Sequence, residues 1–172
     1  MSKPLPKGTP NQDRMQRKKD ATKARVKKKK ITKSIYRNKS DDNIENTLWR
    51  WFSLFIRLRD STHNGYGNCI TCNKTIYYKD GHAGHYLSRR FKNIKYDERN
   101  VSLQCVRCNS FENGRQDVYK DNIDAKFGKG TAQELEKIKN VLVKIDRNYI
   151  IARLTVYKIK VNELKKGITE RF

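Results

Sequence analysis

The sequence predicts a single small domain in which helices flank a cysteine-rich centre. Three observations support this prediction. Apolar residues recur at helical spacing on both sides of the centre. All four cysteines lie in two C-x-x-C pairs within that centre. Hydrophobic residues make up only 35% of the 172 residues, which is enough for one modest core with polar extensions but not for two full cores.

The charge of the chain points to a polyanionic partner. Lys and Arg number 40 against 18 Asp and Glu, so the formal net charge is +22. Proteins with such a charge bind nucleic acid because they neutralise phosphates and release counterions. An anionic membrane is the alternative, but the basic amphipathic helix that usually accompanies it is missing from the sequence. No stretch approaches the ~20 apolar residues of a membrane span, and no secretory signal is evident. We therefore expect a protein that is not secreted and has no membrane partner.

The first 39 residues are predicted to be a disordered basic arm. They hold 15 basic and two acidic residues, including the run Lys27, Lys28, Lys29 and Lys30. Almost no large apolar side chain is present, so the segment cannot bury enough surface to offset the entropy of ordering. The arm is either a non-specific tether for DNA or RNA or a solubility tail. The basic character of the remaining chain favours the tether.

The first predicted helix occupies residues 40–62. Asp41 and Asp42 offer side-chain oxygens for its N-terminal cap. Its stripe repeats at three- and four-residue spacing and consists of Ile44, Leu48, Trp51, Phe52, Phe55, Ile56 and Arg59. Trp49 and Leu58 lie off this stripe, so we expect them to cover a neighbouring element.

The C-terminal region, residues 121–172, is also predicted to be helical. Thr131 and Glu134 match a capping box, which predicts a helix that ends near Ile145. Residues 149–166 carry apolar side chains at helical spacing, although part of this segment also alternates like a strand. We interpret it as a helix.

The cysteines predict a structural metal site. Cys69 and Cys72 form one pair and Cys105 and Cys108 the other, with 32 residues between the pairs. Two such pairs place four thiolates where two turns can meet around one tetrahedral ion, and thiolate ligands favour zinc. A closed set of four ligands leaves no position for water, so the ion would be structural. The alternatives are two disulfides, which need an oxidising compartment, or a redox motif, which needs no second copy.

A histidine and two asparagines accompany the cysteine pairs in a distinctive order. His85 follows the first pair, Asn100 comes fifteen residues later, and Asn109 directly follows Cys108. This order resembles the H-N-H nucleases with a ββα-metal core, and in particular the lambda-phage NinG (Rap) recombination family. The resemblance runs from about residue 49 to residue 140 and is carried by C-x-x-C at 69–72, Ala-Gly-His-Tyr at 83–86, and residues 96–101, 104–109, 113–114, 118–120, 127–128 and 135–136. The Cys108-Asn109-x-x-Glu112 ending is also similar to the phage junction-resolving endonuclease VII.

The resemblance implies an α+β fold and a role for each of these residues. Residues 63–120 would form the ββα-metal core, in which two zinc knuckles brace a β-hairpin and a helix. His85 would be the general base that activates water, and Asn100 would pin the loop that carries it. Asn109 would bind a catalytic Mg²⁺ or Mn²⁺ ion, because hard cations prefer oxygen ligands.

One position departs from the common H-N-H pattern. Many of these enzymes place a metal ligand directly before the general base, where this chain has Gly84. His82 is the nearest substitute, and Asp80 is another; His82 is either a ligand or an exposed loop residue. Glu112 would complete the metal shell or act on a helix N-terminus.

The basic residues after His85 are further candidates for the site. We predict that Arg89, Arg90, Lys92 and Lys95 contact the phosphates beside the cut, although a charge run is often only a solvated surface.

The function implied by the resemblance is an endonuclease for branched DNA, such as Holliday junctions or D-loops, in phage recombination. Such an enzyme would work in the host cytoplasm, with a homodimer and recombination proteins as expected partners. The alternatives are a non-catalytic zinc module that binds nucleic acid and an H-N-H nuclease of restriction or homing type.

Overall fold

The structure, a computed structural model, describes residues 13–23 and 36–168. It divides the chain into two compact units, residues 1–40 and 41–172. In the first unit, residues 13–23 form helix α1, and all of their side chains are exposed. The structure here differs from the predicted disordered arm, because these residues are rich in helix-forming Arg, Lys, Gln and Ala. The run from Lys27 to Lys30 lies outside the described residues.

In the second unit, helix α2 (Asp41–Arg59) and helix α5 (Arg147–Lys166) pack against each other. Both helices confirm the sequence prediction. The buried side chains of α2 are Ile44, Leu48, Phe52, Phe55, Ile56 and Leu58. The ring of Phe52 contacts that of Tyr157 edge to face, with the ring centroids 4.9 Å apart. Side chains four and three residues apart share one helical face, so this packing follows from the periodicity of each helix.

Two antiparallel strand pairs lie between these helices in the chain. The first joins β1 (Tyr66–Asn68) to β2 (Thr75–Tyr77). The second joins β3 (His82–His85) to β4 (Val101–Gln104), with His82 opposite Gln104 and His85 opposite Val101. All four residues of β4 are buried, because α2 covers β4 as well as β3. The strands and helices together confirm the α+β class.

Three helical segments lie between β4 and α5. The first is a short π-helical turn (Arg107–Phe111), and the second is α3 (Gln116–Phe127). The hydroxyl group of Tyr119 in α3 donates a hydrogen bond of 2.7 Å to the carbonyl oxygen of Gly84 in β3. Helix α4 (Thr131–Ile138) packs beside α3, and together with the segment after β3 they enclose a core of Tyr86, Ile94, Tyr119, Ile123, Ala132 and Leu135.

The predicted extent of α4 was wrong. The helix ends at Ile138 rather than Ile145. Thr131 forms no capping box, since its hydroxyl group donates to the carbonyl oxygen of Gly128, and the Glu134 carboxylate pairs with Arg99. Residues 141–146 have no regular structure, and Leu142 is 98% exposed. Their apolar side chains have no core to enter, so nothing extends the helix through them.

Asp60 links α2 to the sheet and to α3. Its carboxylate pairs with Arg59 and Lys126 at 2.7 Å and accepts a hydrogen bond of 2.8 Å from the backbone nitrogen of Leu103. The side chain of Asp60 is only 7% exposed, so these contacts hold β4 firmly beneath α2. Among the described residues, no helix has both the length and the apolar character needed to cross a membrane.

Candidate metal centre and histidine site

The four cysteines come together in one cluster. The sulfur atoms of Cys69, Cys72, Cys105 and Cys108 all lie within 4.8 Å of one another, and none is in a disulfide. Cys72 Sγ and Cys105 Sγ are 3.7 Å apart. A tetrahedral zinc ion with four Zn–S bonds of about 2.3 Å requires sulfur separations of about 3.8 Å. The donor set and its spacing therefore fit a structural metal ion such as zinc.

Local hydrogen bonds prepare these sulfur atoms for a cation. The backbone nitrogen of Cys105 donates to Cys69 Sγ at 3.3 Å, and that of Cys108 donates to Cys105 Sγ at 3.4 Å. The hydroxyl oxygen of Thr71 lies 3.3 Å from Cys69 Sγ. Burial by itself raises the pKa of Cys69, but the hydrogen bonds from Thr71 and the backbone outweigh it and lower the pKa to about 6. Such outer contacts orient and tune metal ligands.

Gln104, whose role the sequence did not indicate, ties this cluster to the sheet. Its side chain is fully buried, and its Nε2 donates to Thr71 Oγ1 at 3.2 Å and to the carbonyl oxygen of Gly114 at 2.9 Å. Because Thr71 accepts from Gln104, its own hydrogen is available for Cys69 Sγ. A buried glutamine at the end of β4 thus connects the cysteine cluster, β4 and the turn before α3.

His82 and Asn109 are brought together beside the cluster. The amide Nδ2 of Asn109 lies 3.0 Å from His82 Nδ1, so the amide donates to an imidazole whose Nδ1 is unprotonated. His82 begins β3 and is half-buried, so it is not the exposed loop residue of the alternative interpretation. The contact joins β3 to the turn that follows Cys108, which are 27 residues apart in the chain.

The packing explains why Gly84 departs from the common pattern. A Cβ atom at this position would lie 2.1 Å from Gln104 Oε1 and 2.9 Å from Asn109 Oδ1. Real Cβ atoms do not approach other atoms so closely, and the first contact is to a buried side chain. No side chain, and so no metal ligand, fits at position 84 without moving Gln104.

His85 is held by contacts on its edge and on its face. Its Nε2 lies 3.1 Å from the carbonyl oxygen of Lys95, and the Trp49 ring stacks on it with centroids 5.2 Å apart. A carbonyl oxygen only accepts, so Nε2 carries the hydrogen and Nδ1 keeps its lone pair. Burial lowers the pKa of His85 to about 4, and the charges of Arg89 and Lys95 act in the same direction. The imidazole is therefore neutral near pH 7.

Asn100 fastens the chain that follows His85. Its side chain is fully buried. Its Oδ1 accepts from the backbone nitrogen of Leu87 at 2.8 Å, and its Nδ2 donates to the carbonyl oxygens of Leu87 at 3.0 Å and Ile94 at 3.1 Å. The amide thus closes a loop of eight residues next to the histidine.

Glu112 is engaged by two arginines. Its carboxylate pairs with Arg107 at 2.6 Å and faces Arg115 at 3.8 Å. The hydrogen bond from Arg107 holds the pKa of Glu112 below its usual value. Within the described part of the chain, the four cysteines are the one group of three or more His, Cys, Asp or Glu side chains close enough to hold an ion. The expected catalytic Mg²⁺ or Mn²⁺ site thus lacks a cluster of this kind.

The four basic residues after β3 fall into two groups. Arg89, Arg90 and Lys92 are exposed, and over residues 13–23 and 36–168 they form no ion pair. Lys95 instead pairs with Glu45 of α2 at 2.7 Å and is half-buried. The first three are therefore available to an anionic partner, whereas Lys95 mainly anchors the loop to α2.

The chain resembles known phage proteins over most of its length. The family model described as Bacteriophage Lambda NinG protein matches residues 2–168. The relatives are named Protein ninG. That of Escherichia phage 933W is 32% identical over 89 residues, which cover 51% of this chain and 42% of the relative.

Two further relatives match to a similar extent. The protein of Escherichia phage lambda is 30% identical over 89 residues, which cover 51% of this chain and 41% of the relative. That of Salmonella phage P22 is 32% identical over 85 residues, which cover 49% of this chain and 39% of the relative. These matches thus span about two fifths of the length of each relative. No solved structure matches significantly. Because the family model covers nearly the whole sequence, the chain belongs to the NinG family.

Proposed function

We propose that this protein is a metal-dependent DNA endonuclease that acts on branched recombination intermediates such as Holliday junctions and D-loops. The observation that carries the proposal is the placement of His85, with a free Nδ1, on the same hairpin as the His82–Asn109 pair. Phosphodiester hydrolysis needs a base that deprotonates the attacking water and a cation that offsets the negative charge of the phosphate. His82 and Asn109 lie at the end of the hairpin next to Cys105 and Cys108, and His85 lies at the other end of β3. The cysteine cluster would hold this hairpin rigid.

His85 is the proposed general base. The hydrogen bond from Nε2 to the carbonyl oxygen of Lys95 fixes the tautomer, and the stack on Trp49 fixes the plane of the ring. The unprotonated Nδ1 would take a proton from water as the water oxygen attacks phosphorus. Asn100 would serve as a positioning residue, because it holds the loop between His85 and Lys95 in place.

His82 and Asn109 are the proposed holders of Mg²⁺ or Mn²⁺, which would supply positive charge to the scissile phosphate and the leaving oxygen. An amide oxygen suits either ion, and imidazole suits Mn²⁺ better than Mg²⁺. Such ions keep several waters, so two protein ligands are compatible with a functional site.

Arg89, Arg90 and Lys92 would bind the phosphates that flank the cut. They are exposed, and Arg89 lies near enough to His85 to lower the pKa of the imidazole. The symmetric cutting of a junction would require two active sites, so the proposal includes a homodimer, with recombination proteins of the phage as further partners.

The test is cleavage of a labelled four-way junction and a linear duplex of matched sequence, with Mg²⁺ or Mn²⁺ added. We expect the junction to be cut in preference to the duplex and His85→Ala to abolish cutting. His63→Ala is the matched control, because His63 is exposed and lies in the turn before β1. Zinc content and far-UV circular dichroism verify that each variant is folded.

The principal alternative is a non-catalytic zinc module that binds nucleic acid. It accounts for the cysteines and the charge but assigns no role to His85 or Asn109. Tight binding without cutting under either metal, identical in His85→Ala, would establish this alternative and refute the nuclease. Equal cutting of both DNAs would instead indicate a nuclease of the restriction or homing type.

A further inference from the structure

Phe111 is unusual among the aromatic residues of this chain. Its side chain is 78% exposed, the largest exposure of any aromatic side chain over residues 13–23 and 36–168. It ends the π-helical turn and lies two residues after Asn109. Val106, at the start of the same turn, is also exposed, at 41%. The two side chains give this turn an apolar tip beside the proposed active site.

The turn that carries Phe111 is held in place rather than loose. Cys108 lies within it and contributes its sulfur to the metal cluster. The backbone nitrogen of Asn109 donates to Cys105 at 2.9 Å, that of Glu112 to Arg107 at 3.0 Å, and that of Gly114 to Cys108 at 2.8 Å. A turn held by these hydrogen bonds and by Cys108 therefore presents a large apolar ring to solvent at a defined position. Leu142, which is even more exposed, lies instead in a segment without regular structure.

The charges around Phe111 favour an anionic partner. Arg107 is 82% exposed, and Arg115 lies on the other side of the turn. These two guanidinium groups face one carboxylate, that of Glu112, so the charged side chains around Phe111, leaving aside the cysteine ligands, are two cations and one anion. An apolar ring in a cationic setting suits a nucleobase joined to phosphates better than an apolar protein surface.

We propose that Phe111 stacks on an unpaired or unstacked base at the branch point of the DNA substrate. This inference rests on the proposed function and names the group that would select branched DNA. In a linear duplex both faces of each base are covered by its neighbours, so stacking on Phe111 would first require unstacking. At a branch point the base is already unstacked, so no unstacking energy is required there. Stacking on Phe111 would therefore stabilise only the complex with branched DNA.

The test measures binding without cleavage, using the zinc-loaded full chain and no added Mg²⁺ or Mn²⁺. A four-way junction and a matched duplex each carry 2-aminopurine, in the junction at the branch point. We expect Phe111→Ala to weaken junction binding about 10-fold and duplex binding less than about twofold, because one base stack is lost. Phe111→Trp should retain the preference and quench the 2-aminopurine fluorescence as the native protein does.

The matched control is Leu142→Ala, which removes an exposed apolar side chain far along the chain from the turn. It should change neither affinity. Equal affinities of Phe111→Ala and the native protein for the junction, or equal losses on both DNAs, would overturn the proposal. Because binding is measured without cutting, the two proposals can fail separately. Absence of nuclease activity would refute the proposed function, whereas the role of Phe111 is decided by the binding measurements.

Discussion

Replacing Asn100 by alanine tests the strongest structural statement about the histidine loop. The substitution removes three hydrogen bonds and leaves the backbone nitrogen and carbonyl oxygen of Leu87 without these partners, whereas the carbonyl oxygen of Ile94 still accepts from the backbone nitrogen of Asp97. Each neutral hydrogen bond contributes about 1 kcal/mol net, and a buried group left without a partner costs about 1–3 kcal/mol. Because Leu87 is only half-buried, water can reach part of this backbone. We therefore expect the free energy of unfolding to fall by about 3–5 kcal/mol.

The control for this prediction lies in the same loop. Asn93 is half-buried and makes one side-chain hydrogen bond, of 2.6 Å, to the carbonyl oxygen of Ile138. Its replacement by alanine should cost about 1 kcal/mol. Urea unfolding of the zinc-loaded proteins, followed by the fluorescence of Trp49 and Trp51, measures both values. If Asn100→Ala costs no more than Asn93→Ala, the reasoning that Asn100 closes the loop is refuted.

Three further predictions concern the metal, the histidine and the arm. Cys105→Ser, or removal of the metal by a chelator, should abolish folding, because a cluster of four thiolates binds zinc as part of the folding reaction; a folded, zinc-free variant seen by circular dichroism would contradict this. Burial, and then the charges of Arg89 and Lys95, hold the pKa of His85 at about 4, below the ordinary value of about 6.5, so the unfolded chain binds more protons between these pH values. The free energy of unfolding should therefore fall by up to roughly 3 kcal/mol as the pH falls from 6.5 to 4. Trp49→Ala should raise the pKa of His85 in an NMR titration, and an unchanged pKa would show that the stacked ring does not contribute to the burial. Deletion of residues 1–39 should weaken binding to every DNA alike and reduce its dependence on salt concentration, whereas an unchanged salt slope would show that the arm is no tether.

The sequence predicted well wherever the deciding interactions are local. The C-x-x-C spacing places two thiols within one turn, and four thiolates near one another have few other uses, so the cysteine cluster was predictable. Helices α2 and α5 were predictable because a side chain and its neighbours three and four residues away share a face. The end of α4 was not, since the apolar residues 141–143 match a helical pattern but meet no surface that could bury them. Helix α1 shows the opposite case, because its residues form a helix although none of their side chains is buried.

The details of the histidine site depend on contacts between residues far apart in the chain. Trp49 lies off the apolar stripe of α2, and only the packing of α2 on the sheet brings its ring to His85, 36 residues later. The same packing pairs Lys95 with Glu45. Lys95 is therefore less available to a partner than Arg89, Arg90 and Lys92. Neither contact leaves a local pattern in the sequence.

By itself, then, the sequence determined the two long helices and the four-cysteine cluster, because these follow from spacing along the chain. It also determined the family resemblance, which implied the α+β class. The tertiary structure decided which nitrogen of His85 is hydrogen-bonded, why a side chain at position 84 would displace Gln104, and that His82 meets Asn109. Those properties depend on how β3 faces β4 and the turn that contains Cys108. Distances across strands and turns are set by the packing of the whole domain rather than by any one segment.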